Sequence, residues 1–181
     1  MALLVFLGED DFRKREALLE LKARVGPPEF AAPNISDLDG SHVSFDELVQ
    51  MASSVPFLSS ERLIIISGLL ERFETKGIRR KGRSRRGAAS DLGQWSQFHS
   101  YLQVDLPPTT TIVLIDGIIG PNNPLLTSFE GFAEVREFRP LARDQVQAWI
   151  RARVMLGGDA ISPNAVVLLQ QLLGNDLWNV S

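Results

Sequence analysis

The chain has 181 residues, 44% hydrophobic and 23% charged, with a formal net charge of −3 and no cysteine. That length and apolar content exclude a disordered chain and a disulfide-stapled miniprotein, since a chain of this size buries a core unaided. The missing cysteines exclude disulfides, thiol nucleophiles, Cys-zinc sites and iron–sulfur clusters together, in agreement with a reducing cytoplasm. No apolar run reaches the roughly 18 residues a membrane helix needs. Acids follow the first apolar run at once and no basic flank precedes it, so no signal peptide is expected.

Leu3–Leu7 is a continuous apolar run closed by Gly8, the pattern of a strand buried on both faces. Glu9, Asp10 and Asp11 follow, and an Asp N-cap predicts a helix from there to about Arg24, with Leu18, Leu21 and Val25 on its inner face. Gly26, Pro27 and Pro28 stop it. Phe30–Ile35 reads as a second strand and residues 37–44 as a loop. Ser44 with Glu47 three residues on is a capping-box signature for a helix carrying Phe45, Leu48, Val49 and Ala52, ended by Pro56. Arg62–Ser67 is a third strand.

From Asp91 to about Gln103, Leu92, Trp95, His99 and Leu102 predict a helix, and Thr109–Ile115 is the strongest strand. Ala133–Phe138 is a fifth. Strands alternating with helices predict an α/β fold whose sheet is mostly parallel, with helices on both faces. After Pro140 the pattern becomes purely helical. One helix carries Val146, Trp149, Ile150 and Val154 on one face. The next starts at Ser162-Pro163 and carries Ala165, Leu168, Leu169 and Leu172. A last one restarts at Gly174-Asn175-Asp176 and is cut off at Ser181.

Chemistry is sparse. A phosphate loop would need a Gly-Lys-Ser/Thr sequence after the first strand, where backbone amides and a lysine hold phosphates. The chain has Gly8-Glu9-Asp10-Asp11 there and no Gly-Lys dipeptide anywhere. No GxGxxG fingerprint is present, and the third strand ends in Ser67-Gly68 with no carboxylate for magnesium. The Glu9–Asp11 cluster reads as a helix start, Asp116 before Gly117 as a turn residue, His42 as exposed loop and His99 as a packing residue. No catalytic, metal or cofactor site is expected.

Two segments stay open. Residues 76–86, KGIRRKGRSRR, hold seven of the 19 basic residues and no acid, leaving the rest of the chain at −10. Their glycines and serine fit a solvated loop. Alternatively Arg79, Arg80, Lys81, Arg83, Arg85 and Arg86 contact nucleic-acid phosphates, which makes the chain an inactive nucleotide-fold module that binds nucleic acid. Residues 52–58, ASSVPFL, set Phe57 and Leu58 in a turn, either as core plugs or as an exposed wedge for a partner.

Short matches spread over the chain in order then form a set: Leu7-Gly8-Glu9-Asp10 with Phe12 and Glu16; Leu38-Asp39-Gly40; Pro56-Phe57 before Arg62-Leu63-Ile64-Ile65; Thr111-Ile112-Val113-Leu114. Pro140-Leu141, Trp149-Ile150, Ile161-Ser162, Ala165, Leu168 and Gly174-Asn175-Asp176-Leu177 complete it. Together they resemble the N-terminal part of the delta subunit of bacterial DNA polymerase III, the clamp-loader wrench. The resemblance implies a five-stranded AAA+-type (RecA-like) domain over residues 1–140 without a working ATP site. It implies the start of a small all-helical domain over 141–181, cut off before its end and before a collar domain. It further implies an apolar pair that enters a pocket of the sliding clamp (beta) and loosens its ring interface so that the clamp is loaded on DNA during replication. Pro56 and Phe57 occupy that position with Leu58 beside them, which leaves two pairs open. No glutamine of the kind that often starts a clamp-binding motif stands there. The implied partners are the clamp, the gamma/tau and delta-prime subunits, and DNA through the assembled complex. The insert at 76–86 has no counterpart in the resemblance.

Overall fold

The computed structural model describes residues 3–74, 92–174 and 176–180. Strands β1 (Leu3–Leu7), β2 (Ile35–Asp39), β3 (Arg62–Ser67), β4 (Thr110–Ile115) and β5 (Glu134–Glu137) form one sheet in the order β2-β3-β4-β1-β5. All four pairings are parallel. The helices are α1 (Asp11–Val25), α2 (Pro28–Ala31), α3 (Phe45–Ala52), α4 (Leu69–Arg72), α5 (Phe98–Val104), α6 (Pro124–Ser128), α7 (Arg143–Leu156), α8 (Pro163–Leu173) and α9 (Leu177–Val180).

The central strands are apolar on both sides because each side of the sheet is covered. Leu3, Val5 and Leu7 of β1 join Ile64, Ile66, Ile112 and Leu114 in one core, filled by Phe45 and Leu48 of α3 and by Trp95, Phe98 and Tyr101. Leu4 and Phe6 point the other way, with Leu63, Ile65 and Val113, onto Leu21 and Val25 of α1 and Phe138. This alternation of successive side chains between two layers is the period of a pleated strand. The edge strands differ. β2 (ISDLD) and β5 (EVRE) carry charges and are only partly covered, which guards exposed edges against pairing with other chains.

Four local expectations need correction. Phe30–Ile35 is not a strand: Pro28 sits at the first turn of α2, residues 32–34 form a 3-10 turn, and β2 begins only at Ile35. Proline presets a helical φ and has no N–H for a ladder, so the strand starts once Pro33 is passed and takes up the first part of the predicted loop. Helix α3 ends at Ala52 with Ser53 as its cap, before Pro56 is reached.

The predicted helix at 91–103 is a 3-10 turn over Gly93–Gln97 followed by α5. Leu92, Trp95, Phe98 and Tyr101 are buried at every third position, the period of a 3-10 winding; Leu102 is buried beside them, as expected, and His99 is only half-buried. In α8 the inner side is Val166, Leu169 and Gln170, while Leu168 and Leu172 are exposed. That helix is apolar nearly all round, so spacing alone does not select its buried face.

Other expectations hold. Asp10 caps α1, its carboxylate accepting from Arg13 N at 3.0 Å. Ser44 caps α3 by accepting from Glu47 N. Ser162 caps α8 with Pro163 at its first position. Helices α7, α8 and α9 pack on α1 through Phe12, whose ring meets Trp149 and Trp178 edge-on at 5.6 and 5.2 Å. Val146, Ile150, Val166 and Leu177 complete that cluster, and Arg153 pairs with Glu16 across it.

Candidate functional site

In an open parallel sheet, ligands bind beyond the carboxyl ends of strands where chain connections diverge. Here that point lies between β1 and β4, since the connection from β1 runs toward β2 and the one from β4 crosses β1 to reach β5. The crevice there is lined by Gly8, Glu9, Asp11, Lys14, Glu71 and Asp116. Its two loops bond each other directly. Gly8 N donates to Gly117 O at 2.9 Å, and Asp116 N donates to Phe6 O at 3.0 Å.

Gly8 is required by the turn. Its φ is +122°, and a Cβ there would lie 2.2 Å from Phe138 O. Lys14, nearly buried, reaches back from the first turn of α1. Its ammonium donates to Gly8 O at 2.8 Å and Asp116 O at 3.4 Å, and pairs with Asp11 at 2.8 Å. Lys14 is thus turned inward onto backbone carbonyls rather than outward to an anion.

Asp116 does more than make a turn. It is buried, and its Oδ1 accepts from Glu71 N at 2.9 Å, tying the start of α4 to the end of β4. Its Oδ2 is buried with no hydrogen-bond partner among the described residues. Burial pushes its carboxyl up to about 6, against the opposing pull of the Glu71 and Leu70 amides. Asp39 moves the other way, to about 2, because Ser41 and His42 hydrogen-bond its carboxylate. His42 is exposed there, within 2.9 Å of Asp39. Among the described residues no group of three or more His, Cys, Asp or Glu side chains could hold a metal ion, and no helix is long and apolar enough to cross a membrane.

The turn after α3 is the second feature. Phe57 and Leu58 do not plug the core: they are 60% and 69% exposed, and Val55 is 85% exposed. The backbone beneath them is nonetheless tightly held. Phe57 N donates to Asn34 Oδ1 at 2.6 Å, and Asn34 Nδ2 donates to Phe57 O at 2.7 Å. Leu58 has a φ of +49°, the left-handed region that a branched side chain rarely enters. Ser59 Oγ then donates to Val25 O at 2.5 Å, anchoring the turn to the end of α1. Pro56 is half-buried between Val55 and Phe57. Together these residues form an apolar tip on a fixed base.

The other sequence-predicted set, Arg79, Arg80, Lys81, Arg83, Arg85 and Arg86, lies outside the described residues. Two residues were missed by sequence reasoning, Lys14 and Asn34. Lys14 looks like any surface lysine of an amphipathic helix. Asn34 sits in the stretch misread as a strand, so its side chain had no assigned neighbour.

Residues 4–115 match the family described as DNA polymerase III, delta subunit. No curated protein matches the sequence. Among solved structures, the fold is similar to the DNA clamp loader delta protein (YqeN) of Bacillus subtilis, with a TM-score of 0.75 and 18% identity over 99% of this chain and 50% of that one. The chain thus spans half the length of that relative. A DNA polymerase III gamma subunit-related protein of Thermotoga maritima gives a TM-score of 0.46 and 17% identity over 84% of this chain and 45% of that one.

Proposed function

The chain belongs to the DNA polymerase III delta subunit family, and on that premise we propose that it binds a sliding clamp through the Pro56–Leu58 tip and loosens the clamp's ring interface. The observation that carries this reading is the exposure of Val55, Phe57 and Leu58 above a backbone fixed by Asn34 and Ser59. Apolar side chains that stay in water without a packing role favour a partner's pocket, and aromatic residues dominate such anchors. The fixed backbone lowers the ordering cost of docking, which leaves more of the burial energy as affinity.

Of the two possible pairs, exposure favours Phe57 with Leu58, because Pro56 is half-buried. The tip acts on the ring by differential binding: a wedge that fits its pocket better in the loosened ring shifts the clamp toward that state. This reading gives nucleotide no part in the chain's own contribution, since the ammonium of Lys14 at the crevice between β1 and β4 is held by Gly8 O and Asp116 O.

In this reading, residues 1–140 are the AAA+-type unit that meets the clamp, and 141–181 form a helical lid-like unit docked on it through Phe12. The partners are the clamp, the other clamp-loader subunits (gamma/tau and delta prime) and, through the complex, DNA. Calorimetry with the cognate sliding clamp tests the proposal. Saturable binding that Phe57→Ala weakens supports it, and no binding by the folded chain overturns it.

A further inference from the structure

The geometry points to Asn34 as the positioning residue of the tip, an inference that rests on the clamp reading above. Asn34 is completely buried yet lies far from Phe57 in sequence, and its carboxamide does for Phe57 what a neighbouring strand would do. The Oδ1 atom accepts from Phe57 N at 2.6 Å, and Nδ2 donates to Phe57 O at 2.7 Å, so one side chain satisfies both backbone groups of one residue. The second Nδ2 proton goes to Phe30 O at 2.7 Å. Both amide protons and the carbonyl oxygen are therefore used, and they fix a single amide orientation.

Two backbone bonds from one planar group fix the direction as well as the position of the Phe57 backbone. The side chain is thereby left pointing out of the fold, 60% exposed, while the residue's polar groups are fully paired. Without Asn34, Phe57 N–H and C=O would have to find water, and the turn at Leu58, held at φ +49°, would lose the restraint before it. An unrestrained turn lets the Phe57 ring fold back onto nearby apolar surface such as Phe30, which is 42% exposed. The same amide holds the Phe30 carbonyl, so it also keeps α2 beside the tip. Asn34 touches no partner in this account, and it acts only through Phe57.

The test is a double-mutant cycle on clamp binding with the whole chain: wild type, Asn34→Ala, Phe57→Ala and the double variant, each titrated with the cognate sliding clamp. The expected result is a loss of affinity of about tenfold or more for Asn34→Ala, and a further change of less than about twofold when it is added to Phe57→Ala. Losses that multiply in the double variant would show that Asn34 acts elsewhere and would overturn the inference. Affinity kept by Asn34→Ala but lost by Phe57→Ala overturns the inference and leaves the clamp reading standing. Affinity kept by Phe57→Ala overturns the clamp reading and this role with it. A second measurement needs no substitution and covers the case in which Asn34→Ala does not fold. In wild type, the Phe57 amide, though on an exposed turn, is expected to exchange with solvent as slowly as amides at the strand ends. Exchange at the rate of an open loop overturns the inference.

Discussion

Replacing Phe57 with alanine separates a wedge from a core residue, because the structure gives the two roles different sizes. About 40% of the side chain is covered in the fold, its exposure being 60%. Full burial of a phenylalanine contributes roughly 1.5–3 kcal/mol, so truncation should lower stability by about 1 kcal/mol. In a chain of this length that shifts Tm by about 2–4 °C.

The exposed part carries the partner's share. On the same scale, burying the free 60% contributes about 1–2 kcal/mol. Affinity for the clamp should therefore fall by about five- to thirtyfold. The assay is a pair of measurements on one preparation, a melting curve and a calorimetric titration with the cognate clamp. A Tm lower by more than about 10 °C would show that Phe57 supports the core after all. An unchanged Kd in a folded variant would show that the partner does not use it.

Three further outcomes are expected. Magnesium-ATP at millimolar concentration should give no heat of binding, because Lys14 is engaged on Gly8 O and Asp116 O and carboxylates surround the crevice; a saturable isotherm would refute this. Asp116 has a folded pKa raised to about 6 from 3.8, so the folded state holds its proton more tightly and stability falls as pH rises from about 4 to 6. Asp116→Asn should thus gain on wild type by up to about 3 kcal/mol across that window, with denaturant melts at each pH as the check and a flat difference as the refutation. Deleting residues 76–86 should leave Tm within about 2–4 °C, since a short like-charged run punctuated by glycine reads from its sequence as a solvated loop, and a larger drop would refute this.

The sheet was legible because its central strands are buried on both faces. Leu63–Ile66 and Ile112–Leu114 are continuous apolar runs with no competing helical period, and the caps Asp10, Ser44 and Ser162 mark helix starts by local chemistry. The edges were not. β2 carries Asp37 and Asp39 where a core strand would be apolar, so its polar half read as a loop and its proline-rich approach read as a strand. The exposed tip was visible as an apolar turn, but whether its side chains face in or out depends on Asn34, which approaches from 23 residues away. Spacing rules describe neighbours along one element, whereas Asn34 meets Phe30 and Phe57, and Lys14 the carbonyls of residues 8 and 116, outside their own elements.

Lys14 shows how the crevice of a nucleotide-type sheet can be reused as a strut. In a phosphate loop the amides and lysine converge on a gap that an anion fills. Here the loop is shorter in glycine and richer in acid, Asp10 caps α1, and the lysine sits in the first turn of that helix. Its ammonium bridges the end of β1 at Gly8 and the end of β4 at Asp116, the two strands between which a ligand would enter. Asp116 in turn accepts from Glu71 at the start of α4, so β1, β4 and α4 are joined by one chain of polar contacts. Phe12, two residues after the cap, carries the helical unit on the same first turn of α1. With its lysine held on both strand ends, the rim of the crevice and the turn of α1 that carries the helical unit are tied together by the chain's own polar contacts.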